Sequence, residues 1–361
     1  MKIEFRVGDP TALPCLLLEV TIQKARLEEF TMKPFNQLTR LGKLRRMRSL
    51  ANKALADYDL SVQWIKFLAD DTNISFKVHS LDGDNYVLRI YSDEETTLAE
   101  NQAEVFWLEA LKKDTDLKFT EPVSRSDGDT ITLASQEGIP GKKRCILFTW
   151  VPGRALEESL NPDNYFKLGV TLAKLHYHAE SLRPLPDSIK PKQWDKAFYY
   201  PNEPVVYNTA EYKHLFNDQQ INIIDRAISI ADKEFARLYA DQEGQILIHG
   251  DLHYWNVNLH RGELYIMDFE DVMLGYPVQD VAITLYYGQH REDYPHLREA
   301  FRQGYTSRRD WPVERPGQVE TLQAARSINF VNYVARIEES PQEYITARCE
   351  ELQEFVDKYR D

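Results

Sequence analysis

The chain of 361 residues is longer than a single hydrophobic core comfortably supports, so two packed lobes are expected. With 43% hydrophobic, 28% charged and 12% aromatic residues it has the usage of a folded globular protein, and its formal charge of -13 excludes the basic surface that non-specific nucleic-acid binding needs. Cys15, Cys145 and Cys349 suit neither a disulfide framework nor a zinc motif, and no run approaches the ~20 apolar residues of a membrane helix. Free thiols, a cytoplasmic location and no nucleic-acid or membrane partner are the expectation.

Residues 1–60 combine an apolar patch, Leu16–Val20, with a basic run, Lys43, Arg45, Arg46 and Arg48, that enters a helical pattern ending near Tyr58. A solvated helix face accounts for the run, and the segment reads as an N-terminal helical extension. Val62 to Tyr91 carries period-two strands, VQWIKFL, ISFKVHS and YVLRIY, the last two joined by the turn-rich Leu81–Asn85, which predicts an antiparallel meander. A helix is predicted from Glu95 to Leu111, with Val105, Leu108 and Leu111 on its apolar face, and strands at Asp129–Ala134 and Arg144–Trp150. Val151-Pro152-Gly153 then breaks the pattern.

Beyond Gly153 the sequence turns helical, first at Asp163–Glu180, where Phe166, Leu168, Leu172 and Leu175 are placed on a buried face. A connection punctuated by Pro184, Pro186, Pro191 and Pro201 follows, then a helix at Gln219–Ala240, short strands at Gln245–His249 and Leu264–Phe269, and helices through Arg360. The expected class is α+β and bilobal. Residues 61–150 form a sheet lobe with one long helix, and residues 151–361 a larger, mainly helical lobe.

The chemistry concentrates in ILIHGDLHYWNVNLHRGELYIMDFED, residues 246–271, where two apolar strands each deliver polar residues at their ends. Phosphoryl transfer asks for a carboxylate near the attacking hydroxyl and oxygen ligands for magnesium beside the phosphates. Asp251, Asn256 and Asp268 supply that set. His249-x-Asp251-x-x-x-x-Asn256 has the spacing of a kinase catalytic loop, and Asp268-Phe269-Glu270 stands in the place of its second metal-binding motif.

HGDLHYWN followed by IMDFED resembles the aminoglycoside phosphotransferase and choline kinase family of the protein-kinase-like superfamily, whose usual pattern is close to HGDLHPGN and an Asp-led segment. Leu172-Ala173-Lys174-Leu175-His176 is similar to that family's LA-x-LH segment, and Thr149–Gly153 to its hinge. The resemblance implies a phosphotransferase using ATP and Mg2+ on a small-molecule hydroxyl acceptor, with Asp251 as catalytic base and Asn256 and Asp268 as metal ligands. It further implies Arg89 as the phosphate-binding cation paired with Glu104, and Thr149 and Val151 as backbone contacts to adenine. Asn73 becomes a phosphate-side contact, although a turn asparagine explains it equally well. Asp280 is implied to be structural.

Two departures stand out. Tyr254 and Trp255 replace the family's Pro-Gly, which is expected to reshape the loop and leave the metal ligands in place, and the segment Ala69–Phe76 lacks the glycines of a kinase phosphate cradle. His249 is read as a structural hydrogen-bonding residue, His176 as a satisfied core residue, and Glu270 with Asp271 as either a cation-binding pair or solvated charge. The acceptor pocket is expected near Trp194-Asp195 and Asn329–Tyr333. Two rival readings keep the same fold: a protein Ser/Thr kinase of the bacterial stress-response type, and a nucleotide-binding regulatory module without transfer activity.

Overall fold

A computed structural model describes residues 32–70, 72–200, 203–240 and 243–359. Residues 1–31 of the expected extension, with Cys15 and the patch Leu16–Val20, lie outside the described residues, as do Pro201 and Arg360.

The first lobe runs from helix α1 (Arg40–Leu55) through strands β1 (Val62–Asp70), β2 (Ile74–Ser80) and β3 (Asn85–Ile90), helix α2 (Leu98–Asp114), and strands β4 (Lys118–Phe119), β5 (Thr132–Ala134) and β6 (Lys143–Thr149). Five of these strands form an antiparallel sheet in the order β1-β2-β3-β6-β5. Side-chain alternation divides its two faces. Phe76, Val78, Leu88, Ile90, Cys145 and Leu147 pack with Leu50, Ala51 and Ala54 of α1. Tyr91, Ile146 and Phe148 join the core that holds Trp107 and Leu108 of α2. Burial on both faces is why residues 145–148 of β6 read as one continuous apolar run.

Helix α1 is therefore packed into the sheet lobe, where the sequence suggested an extension. Its basic run is not a wholly solvated face either: Arg46 donates to the carbonyls of Gly138 (2.7 Å) and Lys33 (2.6 Å), and Arg48 to that of Ile65 (2.8 Å).

Helix α2 is held at the angle that presents Glu104 to the sheet. A capping box starts it, Thr97 Oγ1 accepting from the Glu100 amide (3.3 Å) and the Glu100 carboxylate from the Thr97 amide (2.6 Å). Buried Arg144 on β6 then donates to Asn101 Oδ1 and to the Thr96 carbonyl, both at 2.5 Å, fixing the approach to the helix.

The chain crosses to the second lobe after Thr149. Gly153 adopts φ +96°, and a Cβ there would meet the Leu259 carbonyl oxygen at 2.5 Å and His260 Cβ at 2.9 Å, so the crossing lies hard against a hairpin of the second lobe. That lobe contains β7 (Arg154–Ala155), α3 (Pro162–Ser181), β8 (Lys192–Gln193), α4 (Asp218–Leu238), β9 (Ile246–Ile248), β10 (Val257–His260), β11 (Glu263–Ile266) and β12 (Met273–Gly275), then α5 (Pro277–Tyr286), α6 (Tyr294–Thr306), α7 (Gln318–Ile337) and α8 (Gln342–Lys358). The strands form two small sheets, β4-β11-β10-β7 and β8-β12-β9. Asn161 caps α3 by accepting from the Asn164 amide (2.9 Å), and Pro162 opens its first turn. Leu168, Leu172 and Leu175 are buried as expected, but Phe166 points the other way and is 39% exposed. Two residues span about 200° of helix, so Phe166 and Leu168 cannot share a face.

Trp194, expected beside the acceptor, is core instead: it is 1% exposed, packs on Tyr199 and Phe235, and its carbonyl accepts from Gln279 Nε2 (2.6 Å) and the Tyr239 hydroxyl (2.9 Å). Among the described residues no helix is long and apolar enough to cross a membrane.

Candidate active site

The loop between β9 and β10 is built before it carries any chemistry. Asp280, fully buried on α5, accepts from the backbone amides of His249 and Gly250, both at 2.8 Å, and contacts His176 Nε2 on α3 at 3.1 Å. His176 Nδ1 lies 2.8 Å from the Tyr305 hydroxyl on α6. Burial opposes ionisation of Asp280, but His176, His249 and the Gly250 amide outweigh it and hold the carboxyl below its usual range. Gly250 takes φ +78° and passes so close to Asp271 that a Cβ would collide with the Asp271 carbonyl. His249 closes the loop from within, its Nε2 lying 3.1 Å from the Met267 carbonyl and its Nδ1 accepting from the Asp251 amide (3.3 Å). Asp280, His249 and His176 thus occupy the structural places expected of them.

Asp251 emerges from this loop with both carboxylate oxygens engaged. Oδ2 accepts from Asn256 Nδ2 (2.9 Å) and lies 3.2 Å from His253 Nε2; Oδ1 accepts from the Tyr287 hydroxyl (3.2 Å) and from Arg326 Nη2. Burial pushes the Asp251 carboxyl up, yet the Arg326 guanidinium and the hydrogen bond from His253 prevail and keep it well below the usual carboxylate range. Arg326, on α7, was not singled out in the sequence. Its only trace there is a charged residue inside a helix stretch, Leu322–Asn329, that is buried throughout.

Asn256 donates through Nδ2 to the Asp251 side chain and carbonyl, both at 2.9 Å, which turns its Oδ1 away from Asp251. The β10–β11 ladder pairs Val257 with Ile266, and the Met267 amide donates to the Asn256 carbonyl (2.8 Å), so Asp268 follows directly beside that strand start. Asp268 sits in the left-handed region at φ 60°, a conformation Asp tolerates better than most residues. An Asn amide oxygen and a carboxylate form a hard, oxygen-only donor set, which fits Mg2+, a cation commonly held by one or two carboxylates plus substrate phosphates and water. Among the described residues no group of three or more His, Cys, Asp and Glu forms a metal cage.

Arg89 on β3 reaches three carboxylates: Asp268 at 2.8 Å, Glu270 at 3.3 Å and Glu104 at 3.4 Å. The expected Arg89–Glu104 pair is present, with the Tyr91 hydroxyl also donating to Glu104 (2.6 Å). Burial drives the Glu104 carboxyl up to about 7 against the pull of Arg89. Asn73 bridges the lobes, its Oδ1 accepting from the Ser92 amide (2.9 Å) and its Nδ2 donating to Glu270, while Thr72 donates to the same carboxylate at 3.2 Å. Glu270 is neither solvated nor free: burial and the neighbouring Asp268 charge raise its pKa. Asp271 accepts from Lys192 (2.5 Å) and the Tyr200 hydroxyl (3.0 Å). At the hinge the Thr149 amide is committed to the Glu121 carbonyl (2.8 Å), and its own carbonyl accepts from Thr120 Oγ1 (3.2 Å) with a lone pair to spare; Val151 is buried beside it.

Asp251 opens onto a cavity of about 190 Å³ whose wall includes Asp271, Tyr200, Arg326, Asn329 and Phe330. Trp255 and Tyr254 meet the ring of the cavity residue Tyr287 edge-on, the Tyr254 hydroxyl donating to the Tyr287 carbonyl (3.0 Å), and both Asp251–Asn256 contacts persist despite their bulk.

Comparison with known proteins identifies the family and the fold. The profile of the Phosphotransferase enzyme family matches residues 64–316. An amicoumacin kinase of Bacillus subtilis (strain 168) is 25% identical over 235 residues, 65% of this chain and 66% of that relative, a little under two thirds of its length. Among solved structures, an amicoumacin kinase in complex with AMP-PNP and Ca2+ superposes with a TM-score of 0.71 at 18% identity, covering 89% of this chain and 97% of the other. A microcompartment-associated aminopropanol kinase does so with a TM-score of 0.67 at 19% identity, over 86% and 95% of the two chains. The bilobal α+β arrangement is the kinase-like one, and with the family profile matched across well over half of its length the chain belongs to the phosphotransferase enzyme family.

Proposed function

We propose that the protein transfers the terminal phosphoryl group of ATP to a hydroxyl of a small molecule, and that Asp251 is the residue that receives the acceptor. The observation that carries this reading is the placement of Asp251 in the wall of a cavity of only about 190 Å³, beside the strand pair that presents Asn256 and Asp268. A pocket of that size suits a small acceptor better than a protein segment. The relatives named amicoumacin kinase and aminopropanol kinase support a small-molecule acceptor as well.

In this mechanism Asp251 accepts a hydrogen bond from the acceptor hydroxyl, displacing one of its present donors, and aligns the oxygen for in-line attack. Its depressed pKa suits a carboxylate that orients the hydroxyl and takes the proton late, once the transferring group has loosened. Tyr287, His253 and Arg326 prevent the carboxylate from turning. Arg89 supplies the positive charge for the nucleotide phosphates, and Glu104 holds it from α2. Asn256 and Asp268 would hold Mg2+, which when bound offsets the negative charge of the phosphate oxygens. The hinge around Thr149 and Val151 receives the base, the Thr149 carbonyl keeping an acceptor site for it.

The test is ATP-dependent transfer with Mg2+ across aminoglycosides, choline, ethanolamine, homoserine and methylthioribose. Asp251→Asn is expected to lower turnover by about 10²–10⁴ while ATP binding is retained. Near-normal turnover in that variant would sink the mechanism.

A further inference from the structure

Three donors of the sheet lobe converge on one carboxylate of the helical lobe. Glu270 Oε1 accepts from the Thr72 hydroxyl (3.2 Å), while Glu270 Oε2 accepts from Asn73 Nδ2 and lies 3.3 Å from Arg89 Nη1. Thr72 and Asn73 stand between β1 and β2, in the segment that takes the place of a kinase phosphate cradle. A hydroxyl, an amide and a guanidinium closing on two oxygens of one anion is also how a phosphate is held. Arg89 has both terminal nitrogens turned to carboxylates, Nη1 to Glu270 and Glu104 and Nη2 to Asp268. Of those three carboxylates only Glu270 also takes Thr72 and Asn73. Glu104 is 1% exposed and held within the sheet lobe by the Tyr91 hydroxyl, and Asp268 is the proposed metal ligand.

We infer that Glu270 is a built-in competitor of the nucleotide phosphates: its carboxylate fills the donor set of Thr72, Asn73 and Arg89, and a polyphosphate binds there only by displacing it. The inference rests on the phosphotransfer reading for the assignment of Arg89 and Asn73 to phosphate. Two anions cannot share those donors, because the incoming phosphate would meet the Glu270 charge at contact distance in a partly buried site. The exchange replaces bonds between the lobes with bonds from the sheet lobe to the ligand. Affinity for the phosphates is therefore set by a difference between two anions and is lower than the donors alone would give.

Titration calorimetry of the full chain in EDTA, where only phosphate competes with Glu270, tests this with ATP, inorganic tripolyphosphate and adenosine as probes. Glu270→Gln and Glu270→Ala are expected to bind ATP and tripolyphosphate at least about tenfold more tightly than wild type, with adenosine unchanged, since a charge-assisted hydrogen bond is regained. Glu95→Gln is the control for general electrostatics. It removes an equal charge from the same cavity wall, makes no hydrogen bond to Thr72, Asn73 or Arg89 among the described residues, and should shift polyphosphate affinity by no more than about twofold. Polyphosphate affinity unchanged or lower in the Glu270 variants, a gain matched by Glu95→Gln, an equal gain for adenosine, or no polyphosphate binding by any of the four proteins would overturn the inference. Failure of both Glu270 variants to fold would overturn it too, because a carboxylate that a ligand displaces cannot be one the fold requires. Tighter polyphosphate binding in the variants with no transfer to any acceptor would count against the kinase reading alone, and Asp251-dependent transfer with no gain in the variants against the inference alone.

Discussion

Replacing Asp280 by Asn changes one oxygen to an NH2 group and nothing in volume, which makes the outcome readable. The carboxylate accepts from two backbone amides at 2.8 Å and contacts His176 at 3.1 Å, in a site with no solvent exposure. Asn has one acceptor oxygen, so in either amide orientation its NH2 faces a buried backbone N–H, that of His249 or that of Gly250. One orphaned backbone amide at about 1–3 kcal/mol, with the charge of the remaining bonds lost, gives an expected destabilisation of about 3 kcal/mol. Gly250 adjoins Asp251, so turnover should fall by at least about tenfold even though Asp280 never meets substrate. Chemical denaturation followed by circular dichroism, alongside steady-state turnover, measures both. A loss of stability under about 1 kcal/mol with unchanged turnover would refute the view that Asp280 sets the loop.

Arg89→Met leaves Glu104, which is 1% exposed, and the Asp268–Glu270 carboxylates without their shared cation; a loss of about 3–5 kcal/mol in unfolding free energy and a collapse of nucleotide affinity are expected, with Arg89→Lys intermediate in both. Burial depresses the pKa of His176, so the unfolded chain takes up its proton first: this contribution to stability is intact above pH 6.5 and is lost as pH falls below it. The denaturation midpoint should therefore decline from pH 7.5 to pH 5, and a His176→Gln variant should show a shallower slope, by at most about 1.4 kcal/mol per pH unit; an unchanged slope would rule the histidine out. Burial raises the thiol pKa of Cys145 to about 12 and of Cys349 to about 11, and peptide mapping after iodoacetamide treatment of the native protein at pH 8 should find both unmodified.

Local pattern carried much of the fold. Strands β1 to β3 follow their period-two alternation to within a few residues, and α3 follows Leu168, Leu172 and Leu175. Where the pattern misled, tertiary packing decided. The basic residues of α1 conceal an apolar stripe, Leu50, Ala51 and Ala54, whose partner strands were not identifiable from the helix itself. In the candidate site, Asp251, Asn256 and Asp268 were legible because loop spacing and a hairpin bring them together over 18 residues. Arg89 and Glu104 rested on resemblance, and the structure pairs them. Arg326 was not legible: it reaches Asp251 across 75 residues of chain, and only the packing of α7 against α5 aims it there. Asn329 and Phe330 do line the cavity, whereas Trp194 is used to fill the core behind it.

The cleft is also divided mechanically. Every side chain that grips Asp251 belongs to the helical lobe: Arg326, Tyr287, His253 and Asn256. The side chains that grip Asp268 and Glu270 come from the sheet lobe: Arg89, Thr72 and Asn73. A swing of one lobe against the other leaves the first set of bonds untouched and breaks the second. Under the proposed function, the grip on the catalytic carboxylate would be set within one lobe, whereas the grip on the residues proposed to hold the metal and phosphates would depend on how the two lobes meet.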